Sequence, residues 1–292
     1  MANSVSSTAP SSPLPDQTTL EALRAADIDR YLALLLMPRP AQADLAALML
    51  FNAEIAAIRD RIRDPLPGEI RLQWWRDVLS GERAGEAEAH PVASKLMAMI
   101  ARRGLPLAPL MAMCDARLFD LYDDPMPDRT SYEGYAGETA SALLQMSAFL
   151  IDAEASADTA TASGHAGVAQ AVAGHLMMLP LTRARGQVFV PGDLLAATGL
   201  DRESFLDGDN EAAVSAAVRA FAGFGRDHLR LARAAISDSP SVVRAAYLPA
   251  ALVEPVLVRA EKLGSDCLKL APQPPQWRRQ WRLWRAARSG LI

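Results

Sequence analysis

Carboxylates spaced for a shared helix face are the residues of this chain best suited to chemistry. Asp120, Asp123 and Asp124 form a D-x-x-D-D cluster, and Asp60 and Asp64 stand four apart. On a helix, positions i, i+3 and i+4 share a face, so such groups could offer several oxygens to a hard cation such as Mg²⁺. Each also has a structural reading. Asp64 precedes Pro65, which disfavours helical geometry there. Asp60 lies between Arg59 and Arg61, as on a solvated helix face. The Asp120 cluster ends against Pro125, where acids at a helix C-terminus call for a cation such as Arg117 or Arg129. Between Asp158 and Asp193 no Asp or Glu occurs at all.

Other reactive types are sparse. The histidines are His90, His165, His175 and His228, none with an i,i+4 partner or a nearby cysteine, so no zinc site is expected. His90 before Pro91 reads as a helix-entry residue. Cys114 and Cys267 each sit in an apolar helical pattern and read as buried free thiols, which makes a reducing compartment the default. No P-loop, G-x-S-x-G or G-x-G-x-x-G motif is present. The net charge of −4 supplies no global basic field for nucleic acid.

The C-terminus carries a different chemistry. At 100° per residue, Trp277, Trp281 and Trp284 fall within about 60° of one another. Arg278, Arg279, Arg282 and Arg285 occupy an adjacent face, and no acid interrupts Trp277 to Ile292. Tryptophan beside arginine is the composition of an interfacial anchor. Membrane-surface contact is the first reading, with packing on the domain and a protein partner as alternatives. The string Pro272-Gln273-Pro274-Pro275 reads as a stiff linker that leaves this helix semi-detached.

The elements that must position these residues are helical. The chain has 292 residues, half of them hydrophobic, with only 6% aromatic. Ala and Leu dominate and β-branched runs are short, which favours helix. Leu45, Leu48, Phe51, Ile55, Ile58 and Ile62 mark one apolar face over 41–63. Pro65, Pro67 and Gly68 are read as ending that segment. A long apolar helix is expected over 130–151, with Thr130 and Glu133 at capping-box spacing. A loop is expected over 155–164, then a helix over 165–179 that Pro180 breaks. Further helices fall at 210–236, around 242–247 and at 250–268. Residues 1–19, rich in Ser, Thr and Pro, read as a disordered leader. No apolar run long enough to span a membrane is expected. The expectation is one all-α domain over 20–271, a bundle of about ten helices, followed by the linker and basic helix over 272–292.

Several of these segments, in order, resemble the squalene/phytoene synthase family. They are Tyr31-Leu32-Ala33-Leu34-Leu35-Leu36-Met37-Pro38, Leu50-Phe51-Asn52-Ala53-Glu54-Ile55, Arg71-Leu72-Gln73-Trp74-Trp75-Arg76, His90-Pro91-Val92, Asp115-Ala116-Arg117-Leu118-Phe119-Asp120-Leu121, Tyr132-Glu133-Gly134-Tyr135 and Gly186-Gln187-Val188-Phe189-Val190-Pro191. The resemblance implies an isoprenoid-synthase-like bundle around a central cavity. It also implies two aspartate-rich motifs that hold Mg²⁺ on a prenyl diphosphate. This chain departs from both. Ala56 stands where the leading Asp of the first motif is expected, leaving Asp60. The second window, Gly174 to Arg183, has no acid. Within the family the chain is similar to the branch without aspartate motifs that serves respiratory complex I assembly, through Phe51-Asn52-Ala53-Glu54-Ile55 and Arg71-Leu72-Gln73-Trp74-Trp75.

The expected function is therefore a non-catalytic, membrane-peripheral assembly or lipid-binding factor, with a respiratory-complex client or an isoprenoid or lipid ligand. Tyr31, Asn52, Arg71 and Gln73 are the expected ligand-facing residues. No cofactor and no metal are expected. The expected location is cytoplasmic, at the inner face of the cytoplasmic membrane. The alternative is a divergent Mg²⁺-dependent prenyltransferase using Asp60, Asp120 and Asp124.

Overall fold

The computed structural model describes residues 14–290 and 292, and among these every regular element is helical. The α-helices are α1 (Gln17–Ala26), α2 (Ile28–Leu34), α3 (Gln42–Ala56), α4 (Pro65–Ser80), α5 (Ala84–Ala89), α6 (Pro91–Arg103), α7 (Leu107–Ala116), α8 (Arg129–Ala136), α9 (Ala142–Ile151), α10 (Ala160–Ala184), α11 (Gly192–Ala197), α12 (Arg202–Asp207), α13 (Glu211–Asp238), α14 (Val253–Leu263) and α15 (Gln276–Ser289). They outnumber the ten or so expected because several, such as α5, α11 and α12, are short. Of the expected leader, residues 1–13 lie outside the described residues. Gln17–Thr19 are already helical, because the Asp16 carboxylate accepts from the Thr19 N–H and caps α1.

Two apolar clusters form the core. One gathers the N-terminal helices around Leu45, Phe51, Leu72, Trp75, Leu96 and Met113. The other gathers α10, α13 and α14 around Val172, Leu176, Phe221, Leu229 and Leu257. Helix α9 joins them: Leu143, Met146 and Leu150 enter the first cluster, and Leu144 and Ala148 the second. A helix apolar on all sides is one buried on all sides, and this one makes the two halves a single domain.

Local expectations fail where tertiary packing overrides propensity. Pro65 and Pro67 open α4 instead of ending its predecessor, since a missing N–H costs nothing in a first helical turn. Residues 155–164 are a 3₁₀ turn and the start of α10, not a loop. Helix α10 also runs through Pro180 to Ala184. A proline inside a helix costs about 3 kcal/mol, and the burial of Val172, Leu176 and Leu179 along α10 offsets it. Asp128 caps α8 by accepting from the Ser131 N–H, displacing the expected Thr130 box. His90 does enter α6, its Nδ1 accepting from the Ala93 N–H.

Among the described residues one run, Ser241–Leu268, is long and apolar enough to cross a membrane by length and composition, where none was expected. In the fold it is a 3₁₀ stretch, α14 and a second 3₁₀ turn in series, and Tyr247 and Leu257 are enclosed within the bundle.

A π-turn over Gly137–Ser141 links α8 to α9 and presses against α10. The Ser141 hydroxyl donates to the Gly164 carbonyl at 3.0 Å. A Cβ on Gly167 would collide with the Ser141 backbone, whereas one on Gly223 meets open space. Gly167→Ala is therefore expected to cost about 3 kcal/mol by forcing the helices apart. Gly223→Ala in mid-α13 is expected to be neutral or to stabilise by up to about 1 kcal/mol. Urea unfolding of both variants checks the contrast, and equal stabilities would refute this close approach.

Candidate functional site

The turn after α3, the turn after α7 and the end of α10 meet at one place. Asp60 lies on the 3₁₀ turn Arg59–Arg61 and accepts from Arg185 Nη1 at 2.7 Å. Arg185 is the residue that caps the C-terminus of α10. Arg59 reaches Asp123 at 3.6 Å. Asp120 is 8% exposed and accepts from Arg117 Nη1 at 2.9 Å and from the Tyr135 hydroxyl at 2.7 Å. The same Nη1 donates to that hydroxyl at 2.9 Å, which closes a triangle. Burial works against the Arg117 charge, but the Tyr135 and Asp120 oxygens outweigh it and raise its pKa. Burial also holds the Tyr135 phenol well above its ordinary range.

The D-x-x-D-D cluster does not form a shared helix face. Helix α7 ends at Ala116, Asp120 falls in a 3₁₀ turn over Phe119–Leu121, and Asp123 and Asp124 follow outside any helix. Asp124 is exposed. Pro125 and Pro127 stop helical geometry there, and the burial of Leu121 pins the turn. Arg117 is the cation that the sequence spacing asked for; Arg129 pairs instead with Asp193 at 2.7 Å.

Magnesium would need a convergent set of oxygen ligands. The residues present do not fit it. Arg185 holds Asp60, Arg117 and Tyr135 hold Asp120, and Asp124 is exposed to solvent. Among the described residues no group of three His, Cys, Asp or Glu side chains could hold a metal.

Where α10 faces this site, it presents an imidazole. His175 stacks on Phe189 with centroids 4.1 Å apart and planes 9° apart, and its Nδ1 lies 2.8 Å from the Tyr132 hydroxyl. Burial, aided by the Arg117 charge, holds the His175 pKa down to about 3, so the ring is neutral. Gln187 donates to the carbonyls of Asp120 at 2.8 Å and Tyr122 at 3.1 Å. The Gly186–Pro191 segment thus acts as a strap that closes this end of the bundle. His165 and His228 also pair across helices, Nδ1 to Nδ1 at 3.1 Å, with Glu133 3.2 Å from His228 Nε2. Both thiols are buried, and burial pushes Cys114 and Cys267 up to about 12.

The four expected ligand-facing residues do not converge. Tyr31 is half-buried on α2, and Asn52 is buried on α3. Arg71 lines a groove of about 290 Å³ with Glu54, Arg61, Trp74, Trp75 and His90. Gln73 donates to Asp77 at 2.6 Å and lines a second groove. Residues two apart on a helix point about 200° from each other, so Arg71 and Gln73 serve different surfaces.

The C-terminal helix is docked rather than detached. Leu283 and Ala286 are buried, and Arg279 pairs with Asp29 on α2 at 2.5 Å. Pro272 and Pro274 of the expected linker are buried too. The tryptophans take no part in this packing. Trp277, Trp281 and Trp284 stand 64%, 52% and 49% exposed on the opposite side of the helix. Arg278, Arg285 and Arg288 lie over their rings at 5.1, 5.4 and 4.9 Å.

Two outcomes follow from these pairings. Asp120→Ala leaves Arg117 buried and uncompensated and is expected to cost about 3–5 kcal/mol, whereas Asp124→Ala is expected to stay within about 0.5 kcal/mol of the parent. Denaturant titration distinguishes them, and equal effects would reject the buried pair. For pH, the folded His175 pKa lies below its unfolded value, so the unfolded chain binds the extra proton and stability falls as pH drops from about 6.5 towards 3. Between pH 7 and 5.5, before most carboxylates titrate, His175 should contribute a loss of about 1 kcal/mol. His175→Gln should flatten that slope, and an unchanged slope would show that the imidazole is not buried neutral.

Known proteins place this geometry in context. Residues 23–285 match the family model for squalene/phytoene synthase. A relative named NADH dehydrogenase (ubiquinone) complex I, assembly factor 6, from Rattus norvegicus is 30% identical over 248 residues, which is 85% of this chain and 74% of the relative. The Homo sapiens protein of that name is 28% identical over 252 residues, covering 86% and 75%. Among solved structures, a dehydrosqualene synthase in complex with ligand superposes with a TM-score of 0.79 at 15% identity, covering 93% of this chain and 94% of that one. The squalene synthase HpnC from Alicyclobacillus acidocaldarius gives a TM-score of 0.69 at 17% identity, covering 85% and 93%. The helical architecture, the ordered motifs and the extent of these matches agree: the chain belongs to the squalene/phytoene synthase family.

Proposed function

We propose that the protein performs no prenyl transfer and acts as a membrane-peripheral assembly factor for a respiratory NADH dehydrogenase. The observation that carries this reading is the use of the acids. The carboxylate kept from the first motif is neutralised by Arg185, the nearby Asp120 by Arg117, and α10 supplies no acid across the second window. A leaving diphosphate would have no metal to take up its charge. The names of the relatives supply the client: both mammalian proteins are called complex I assembly factors. The exposed indoles of α15 supply the attachment, because Trp rings favour the membrane–water interface.

The fold also has an apolar cleft of about 360 Å³, lined by Leu105, Pro106, Met146 and Phe149 with Gly137 and Gly164 at its wall. Small-molecule sites fall in this size range, and an isoprenoid or acyl chain is the ligand that such a lining would accept.

Purified protein given farnesyl or geranylgeranyl diphosphate with Mg²⁺ is expected to release no diphosphate above the protein-free rate. Turnover to a head-to-head product would overturn the reading. A deletion strain is expected to lose most of its membrane NADH:quinone oxidoreductase activity, regained on complementation. Normal NADH oxidation in that strain would remove the assembly role.

A further inference from the structure

Where α15 begins, α14 and α15 enclose a groove of about 280 Å³ whose charged lining is wholly cationic. Arg259 and Lys262 come from α14, and Arg278, Arg279 and Arg282 from α15. Two of these charges are matched within the fold, Arg279 by Asp29 at 2.5 Å and Arg282 by Glu254 at 3.3 Å. Arg259, Lys262 and Arg278 have no carboxylate partner among the described residues. Arg279 is 8% exposed, and its Nε is buried without an acceptor. The groove also takes in Pro274 and Pro275 at the start of α15, a helix that lacks a side-chain cap. The first-turn N–H groups and the helix dipole add to the positive potential there.

Position on the helix says what kind of anion belongs in it. The groove residues Arg278 and Arg282 lie on the flank of α15 between its buried side, where Arg279 sits, and the ridge of Trp277, Trp281 and Trp284. If the indole ridge lies in the interface of a bilayer, this flank stands at the height of the headgroup phosphates. A soluble phosphate would leave three exposed indoles without a role. An anionic lipid uses both features, because the cations meet the phosphate while the rings and the arginine stems enter the apolar boundary.

We infer that this groove seats the phosphate of an anionic phospholipid headgroup while the indole ridge of α15 enters the same leaflet. The inference rests on the membrane-peripheral reading above and is narrower than it, since it names the lipid class and the residues that select it.

Co-sedimentation of the full-length protein with vesicles tests it. One set is phosphatidylcholine alone, and the other contains a minority of phosphatidylglycerol. The wild type is expected to prefer the anionic set, with a preference that falls as salt rises. Arg259 and Lys262 are exposed, so the double variant R259Q/K262Q is expected to melt like the wild type. Each surface cation near an anionic leaflet contributes about fivefold in affinity, so this variant should lose roughly 20- to 30-fold on anionic vesicles and nothing on neutral ones. W277A/W281A should lose binding to both sets. A groove variant that keeps the wild-type preference overturns the groove assignment and leaves membrane attachment standing. Inorganic phosphate binding to the wild type as tightly as the anionic vesicles would overturn the lipid assignment. A wild type that ignores both vesicle sets overturns this inference together with membrane attachment.

Discussion

A carboxylate withdrawn from water needs a positive partner, because its desolvation costs several kcal/mol that only a close cation and hydrogen bonds can offset. In this protein the partners are the chain's own arginines, and most of the pairs join elements far apart in sequence. Asp44, fully buried on α3, is held by Arg102 and Arg103 at the end of α6. Asp120 beyond α7 is held by Arg117 and by Tyr135 of α8. Nearer the solvent, the exposed Asp60 beyond α3 meets Arg185 beyond α10, and the partly buried Asp29 on α2 meets Arg279 on α15. These four pairings fix the relative positions of helices on which the rest of the bundle packs.

That use of acids has a chemical consequence. An aspartate bound to a guanidinium fork is not a free oxygen donor, and a metal would have to displace the arginine and then tolerate its charge nearby. The neutral His175, stacked on Phe189 and bonded to Tyr132, adds one more paired group to a site where the Nε atoms of Arg59 and Arg117 are buried without an acceptor. The likeness to a dehydrosqualene synthase at 15% identity shows that the same helical bundle forms from a very different sequence. Function is carried by the site and not by the architecture.

The C-terminal helix illustrates a second division of labour. One side is pinned by Leu283, Ala286 and the Arg279 pair, and the other displays three indoles under arginines. A rigidly held ridge loses less conformational freedom on meeting a partner surface than a loose tail would. The buried prolines before it contribute to the same rigidity.

The sequence by itself determined the helical class, the family and the absence of acids from the second window, because composition, apolar period and the run without carboxylates between Asp158 and Asp193 are properties of the linear chain. It also placed the three tryptophans on one stripe, since that depends only on the helical repeat. It did not determine the route of α10 through Pro180, the opening of α4 by Pro65, or the capping of α8 by Asp128, where packing and local hydrogen bonds outweigh modest propensities. Nor could it bring Asp60 to Arg185 across 125 positions, or bury His175 against Phe189. It grouped Tyr31, Asn52, Arg71 and Gln73 as ligand-facing residues, and it left α15 semi-detached. Only the tertiary structure decided these matters. The reason is physical: periodicity specifies which side of a helix is apolar, whereas the partner of a charge depends on which helices are packed together, and that is a property of the whole core.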